Sequence, residues 1–130
     1  MSPEAELRRL LAGLSPALDP ARWRFAAVDP APAEALMTFR EEEGLCAILP
    51  AGDAPEAFRR ITLRVQSSLH AVGLTAAVSA RLTAIGVPAN VVAGLRHDHV
   101  FVPEAEAARA LRALEALSAE SALDAGGDAE

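Results

Sequence analysis

The sequence is poor in the residues that most often announce a chemistry. It has one cysteine, Cys46, no tyrosine and one tryptophan, and aromatics make up 4% of its 130 residues. A lone cysteine excludes an internal disulfide, so a reducing cytoplasm is the expected location. With few rings, the core must be built from leucine and alanine methyls, and close helix packing matters more than aromatic anchors. No apolar run approaches the ~18–20 residues that span a bilayer. The opening MSPEAELRRLL also lacks the basic segment, long apolar core and small-residue cleavage site of a secretory signal. The 12 basic residues are scattered among 18 acidic ones, for a net charge of −6. No basic stripe interleaves with aromatics, so neither nucleic acid nor a membrane is an expected partner.

What is present is a core-forming chain, 52% hydrophobic and of a size for one compact domain or two small, intimately packed subdomains. A first helix is predicted over residues 3–13, capped by Ser2, started by Pro3 and striped by Leu7, Leu10, Leu11 and Leu14. The prolines of LSPALDP (14–20) break it. Residues 22–28 then alternate as a half-buried strand containing Trp23. DPAP (29–32) reads as a turn, and residues 35–39 are ambiguous between strand and helical turn. The acidic turn Glu41–Gly44 leads into a short buried strand, 45–49, that holds Cys46 as a core residue. Residues 50–57 read as loop.

The segment 61–103 carries the most information. An alternating strand over residues 60–66 runs into Ser67, Ser68, Leu69 and His70. A helix over 71–85 follows, with Leu74, Val78, Leu82 and Ile85 on one face, stopped by Gly86 and Pro88. Two strands, 89–95 and 99–102, then form a hairpin around His97 and Asp98. Pro103 opens a third helix to about Leu117. The acidic, aperiodic tail 119–130 is expected to be disordered. A helix start beside small hydroxyl residues is a ready site for a carboxylate. No catalytic motif of comparable strength appears, so the chain reads first as a binding module.

The order strand, helix, strand, strand, helix resembles the ferredoxin-like plan of ACT domains without its final strand. The runs VGLTAAVSA (72–80), NVVAG (90–94) and HDHVFVP (97–103), with EEEG (41–44) upstream, are similar to a bacterial family of small ACT proteins. That family is related to the tandem ACT domains of arginine-sensing CASTOR proteins and of aspartate kinases. The resemblance implies an α+β fold with helices on one face of an antiparallel sheet. It also implies an incomplete N-terminal ACT-like unit over residues 1–58, whose strands cover the edge left open in the C-terminal unit, 59–118.

The resemblance implies a ligand site in the loop after the first strand of the C-terminal unit: Ser67, Ser68, Leu69, His70, Val72, Gly73 and Leu74. Gly73 takes the glycine position that ends the ACT loop, Asn90 and Val92 would line the floor, and Asp98 or a backbone carbonyl would receive an ammonium. The implied ligand is a small molecule of the amino-acid class, bound without a cofactor, with a second copy of the chain or another protein as partner.

Other readings stand beside this one. Ser67 or Ser68 could simply cap the helix, Gly73 and Gly94 could serve close packing, and Asp98 could be an ordinary hairpin corner. Trp23 suits core or an interface between subdomains, and Glu41, Glu42 and Glu43 suit a solvated turn. His97 and His99, with His70 or Cys46, invite a metal, but a zinc site needs three or four converging ligands. A Ser68–His70–Asp98 triad lacks a nucleophile elbow. The rival functions are a ligand-free dimerisation protein and a metal-dependent enzyme built on the hairpin.

Overall fold

The computed structural model describes residues 2–128. Helix α1 (Pro3–Ala12) begins where Ser2 Oγ accepts the Ala5 N–H at 3.1 Å, so the predicted cap is in place. Strand β1 (Pro16–Ala27) starts six residues before the predicted strand. Both prolines are accommodated because Pro16 is the first residue of the strand and Pro20 lies where the register shifts between Leu18 and Arg22. A proline in either place removes no ladder hydrogen bond. Strands β2 (Met37–Glu41) and β3 (Gly44–Pro50) form a hairpin across the exposed Glu42–Glu43 turn, which resolves the ambiguous 35–39 segment as strand from Met37.

Strand β4 (Phe58–Leu63) is followed by helix α2 (Leu74–Ala84) and the hairpin β5 (Asn90–Ala93) and β6 (Asp98–Pro103). Backbone bonds from Arg64 to Ser15 and from Val65 to Leu14 carry the β4 pairing past its last strand residue. A 3-10 turn, Glu104–Glu106, leads into helix α3 (Ala107–Asp128). The disordered tail expected from residue 119 is therefore corrected through Asp128. Ser118 Oγ donates to the Ala12 carbonyl, the Ser121 side chain is buried, and Glu120 pairs with Arg81 at 2.7 Å. These polar side chains give the aperiodic stretch specific partners that its composition does not reveal.

The six strands make one antiparallel sheet in the order β2-β3-β1-β4-β6-β5. β1 flanks β4, the place that the final strand of a complete ferredoxin-like unit would take, and it does so from within the same chain. All three helices cover one face. Leu10 of α1 and Leu14 just after it, Val78 and Leu82 of α2 and Leu114 of α3 pack on Ile61, Leu63, Val100 and Val102 in a single buried cluster. Burying such side chains stabilises a fold by roughly 1.5–3 kcal/mol each. No described helix is long and apolar enough to cross a membrane.

The opposite face is concave. Phe25 meets Phe58 and Phe101 edge-on, at 5.3 and 5.6 Å between ring centres, and Phe101 is 1% exposed although no helix covers that side. Cys46 faces Ala27 and Phe39 across the strands and is half-buried, not a full core residue. A hydrogen bond to the Glu41 carboxylate, then burial, pushes its thiol pKa up.

Candidate functional site

The chain between β4 and α2 folds on itself through Ser68. Its hydroxyl accepts the His70 N–H at 3.1 Å and its carbonyl accepts the Ala71 N–H at 3.1 Å. The serine thus shapes the loop and does not cap α2. The residue that precedes the helix is Gly73, at φ +94°, and no side chain accepts from the first N–H groups of the helix. α2 consequently starts at Leu74 and not at Ala71, leaving its positive dipole end uncapped.

That end opens on a small cavity of about 100 Å³. Loop residues Ser67, Ser68 and Leu69, helix residues Leu74 and Thr75, and the hairpin residues Gly94, His97 and Asp98 line it. A carboxylate oxygen, backbone donors at a helix start and an imidazole are thereby gathered from three parts of the chain. His97 Nδ1 is buried with no hydrogen-bond partner among the described residues. Buried polar atoms are nearly always paired, so such an atom points to a missing partner. The set suits a zwitterion: donors for a carboxylate at the helix, and an acceptor for an ammonium at Asp98.

The remaining predicted site residues lie elsewhere. His70 and Val72 border a separate cleft of about 260 Å³ against Pro3, Glu6 and Leu10, and Val72 is 76% exposed. Gly73 serves packing: a Cβ there would stand 3.0 Å from Leu7 Cδ2 of α1. Asn90 and Val92 pair with Phe101 and His99, and so they face the concave side, away from the α2 cavity. The floor of the α2 cavity is formed instead by Ala93 and Gly94. Thr75 and His97 belong to the cavity but were not among the predicted residues. Thr75 follows from placing the helix start at Gly73, and His97 from putting the hairpin turn at Gly94–His97 with Asp98 inside β6.

The HDH motif divides its histidines between two cavities. His97 lines the α2 cavity, whereas His99 lines the concave side, its Nδ1 3.1 Å from Thr62 Oγ1. Burial, then the positive charges of Arg60 and His97, lower the His99 pKa below its ordinary value, against the opposing pull of Asp98. Among the described residues no group of three or more His, Cys, Asp or Glu side chains is placed to hold a metal ion. Ser68 meets His70 only through the backbone N–H, which is not a nucleophile–base contact.

Comparison with known proteins sets this geometry in context. ACT-domain family models match residues 2–60 and 55–116. A protein of unknown function from Vibrio cholerae, described as a possible transport protein, is 40% identical. The match covers 87% of this chain and 96% of that one, with a TM-score of 0.75. The regulatory subunit of aspartate kinase from Thermus thermophilus is 11% identical over 81% of this chain and 97% of its own, with a TM-score of 0.59. A structure of aspartokinase alpha and beta subunits gives 15% identity, coverage of 78% and 95%, and the same TM-score of 0.59. At those identities the two kinase structures share the fold. No curated protein matches the sequence.

Proposed function

The chain belongs to the ACT-domain family of small-ligand-binding regulatory modules, and from that premise we propose that it is a non-catalytic cytoplasmic sensor of a small amino acid, held in the cavity at the start of α2. The observation that carries the reading is the buried, unpartnered His97 Nδ1 beside an uncapped helix and the Asp98 carboxylate. The ligand carboxylate would accept from the free N–H groups of α2, and its ammonium would donate to Asp98. The volume of about 100 Å³ favours a short side chain.

Regulation needs the ligand to favour one arrangement over another. Leu69, Val72 and Leu95, on the loop and turn that flank the site, are 70%, 76% and 73% exposed. Large apolar side chains so placed favour a second copy of the chain closing over the loop, so that ligand and partner stabilise each other.

Thermal shift against the proteinogenic amino acids tests the reading. A small α-amino acid at millimolar concentration raises Tm, and Asp98→Asn removes the response. A ligand at 100 times its Kd adds ~2.7 kcal/mol, ample for detection. The absence of any shift with every amino acid overturns the reading.

A further inference from the structure

The concave face holds a second cavity whose chemistry differs from that of the loop site. It has a volume of about 240 Å³ and lies between the two edges of the sheet. Met37 of edge strand β2 and Val92 of edge strand β5 both reach it, with Ile48 and Phe101 between them. Ile48 and Phe101 are 0% and 1% exposed, so the lining is recessed, and of the large apolar side chains there only Leu36 at the rim is exposed. A recess of this kind fits a small guest better than a flat protein surface does.

One lining side chain carries a formal charge: Arg60. Its Nε and Nη2 bond Asp19 Oδ2 at 3.2 and 3.0 Å, and its guanidinium lies 5.8 Å from the Trp23 ring centre. Nη1 has no hydrogen-bond partner among the described residues. Arg59 donates to the backbone carbonyl of Asp19, so Arg60 is the guanidinium that meets the carboxylate. The cavity itself has no acidic lining residue to receive an ammonium. His99 stands at its edge with Nδ1 taken by Thr62 and Nε2 beside Gly94.

We propose that this cavity binds an organic monocarboxylate with an apolar body, aliphatic or aryl. Its carboxylate pairs with Arg60 Nη1, and its hydrocarbon lies against Phe101, Ile48, Val92 and Met37. Fixed by Asp19 and Trp23, the guanidinium loses little rotamer freedom on binding, which favours a charge-assisted hydrogen bond. The site is independent of the amino-acid site at α2. The two cavities share the hairpin residues Ala93 and Gly94 but differ in the charge of the groups that would hold a ligand.

The test uses the full chain with labelled Ile, Met and Val methyl groups, titrated with phenylacetate and with hexanoate. Both acids are expected to shift the Ile48, Met37 and Val92 methyl signals saturably and to raise the His99 pKa, because an anion has arrived nearby. Arg60→Gln weakens phenylacetate by about tenfold or more, the loss of one charge-assisted hydrogen bond, yet leaves benzyl alcohol unchanged. Val92→Phe fills the cavity from an edge strand and blocks every probe, which keeps the idea falsifiable if Arg60→Gln folds poorly. Asp98→Asn leaves both acids bound, which separates this site from the α2 cavity. Three results overturn the proposal. One is the absence of methyl shifts with either acid, and another is equal binding of 2-phenylethylamine. The third is shifts that follow protein concentration without any probe, which would assign the face to a second copy.

Discussion

The Gly94 N–H donates to the His97 carbonyl at 2.9 Å, and a Cβ on Gly94 would stand only 2.7 Å from that same oxygen. The hairpin that carries both cavities is closed by this contact. Gly94→Ala cannot be absorbed by a side-chain rotation, because the obstacle is backbone. The expected cost is ~1–3 kcal/mol of unfolding free energy, together with weakened ligand responses at both cavities. Urea unfolding measures the first and titration the second.

Gly73→Ala differs in kind. Its Cβ would meet the flexible end of Leu7, but φ +94° strains any side chain at that position. We expect a loss of ~1–2 kcal/mol. Adding Leu7→Ala should not restore it, if the backbone is the main cost. Chemical denaturation of the single and double variants distinguishes strain from crowding.

Residues beyond Leu117 hold the helices together. A chain ending at Leu117 loses the Ser118–Ala12 bond, the buried Ser121 and the Arg81–Glu120 pair. Glu120 is 58% exposed, so solvent screens its ion pair and the pair contributes little. The Ser118 bond contributes ~1 kcal/mol, and Ser118→Ala should reproduce that part of the drop in Tm.

Stability depends on pH through His99. Its folded pKa lies below 6.5, chiefly because of burial and then Arg60. The unfolded chain therefore takes up the proton first. The neutral imidazole's contribution is complete above pH 6.5 and is lost as pH falls through the depressed folded value. His99→Gln should flatten this slope in urea unfolding followed from neutral pH to about pH 5. An unchanged slope removes His99 as its cause.

Asp19 acts at lower pH. Burial pushes its carboxyl up, but hydrogen bonds from the Ala21 N–H and Trp23 Nε1–H, with the Arg60 guanidinium, outweigh it and hold the pKa below 3.8. Its contribution is present above pH 3.8 and disappears as pH falls through the folded value. Asp19→Asn at neutral pH leaves Arg60 without its counter-charge and should cost ~1–3 kcal/mol in denaturant unfolding. Acid unfolding of this variant should begin from a flatter baseline.

Much of the architecture was legible because local signals agreed with the whole. Ser2 with Pro3 marked one helix start, Gly86 with Pro88 marked a helix stop, and the alternation around Ile61 and Leu63 marked a core strand. The prolines of β1 misled, since proline argues against a strand unless a register shift or a strand end accommodates it, and neither is visible in one dimension. The site was legible only in outline. Ser67, Ser68, Leu69, Leu74 and Asp98 line one cavity, but Asn90 and Val92 have an alternation that sequence cannot assign to a face. Nor could spacing reveal that His97 and His99, two apart, line different cavities. The cavity under Arg60 needs strands from both edges of the sheet, and no local pattern encodes such a meeting.

β1 is a seam shared by both repeats. Residues 23–27 bond β3 of the first repeat, while 16–18 and 22–23 bond β4 of the second. The strand belongs to the first ACT match yet also walls the second, so severing the gene between them would strip β4 of a neighbour and leave a raw edge.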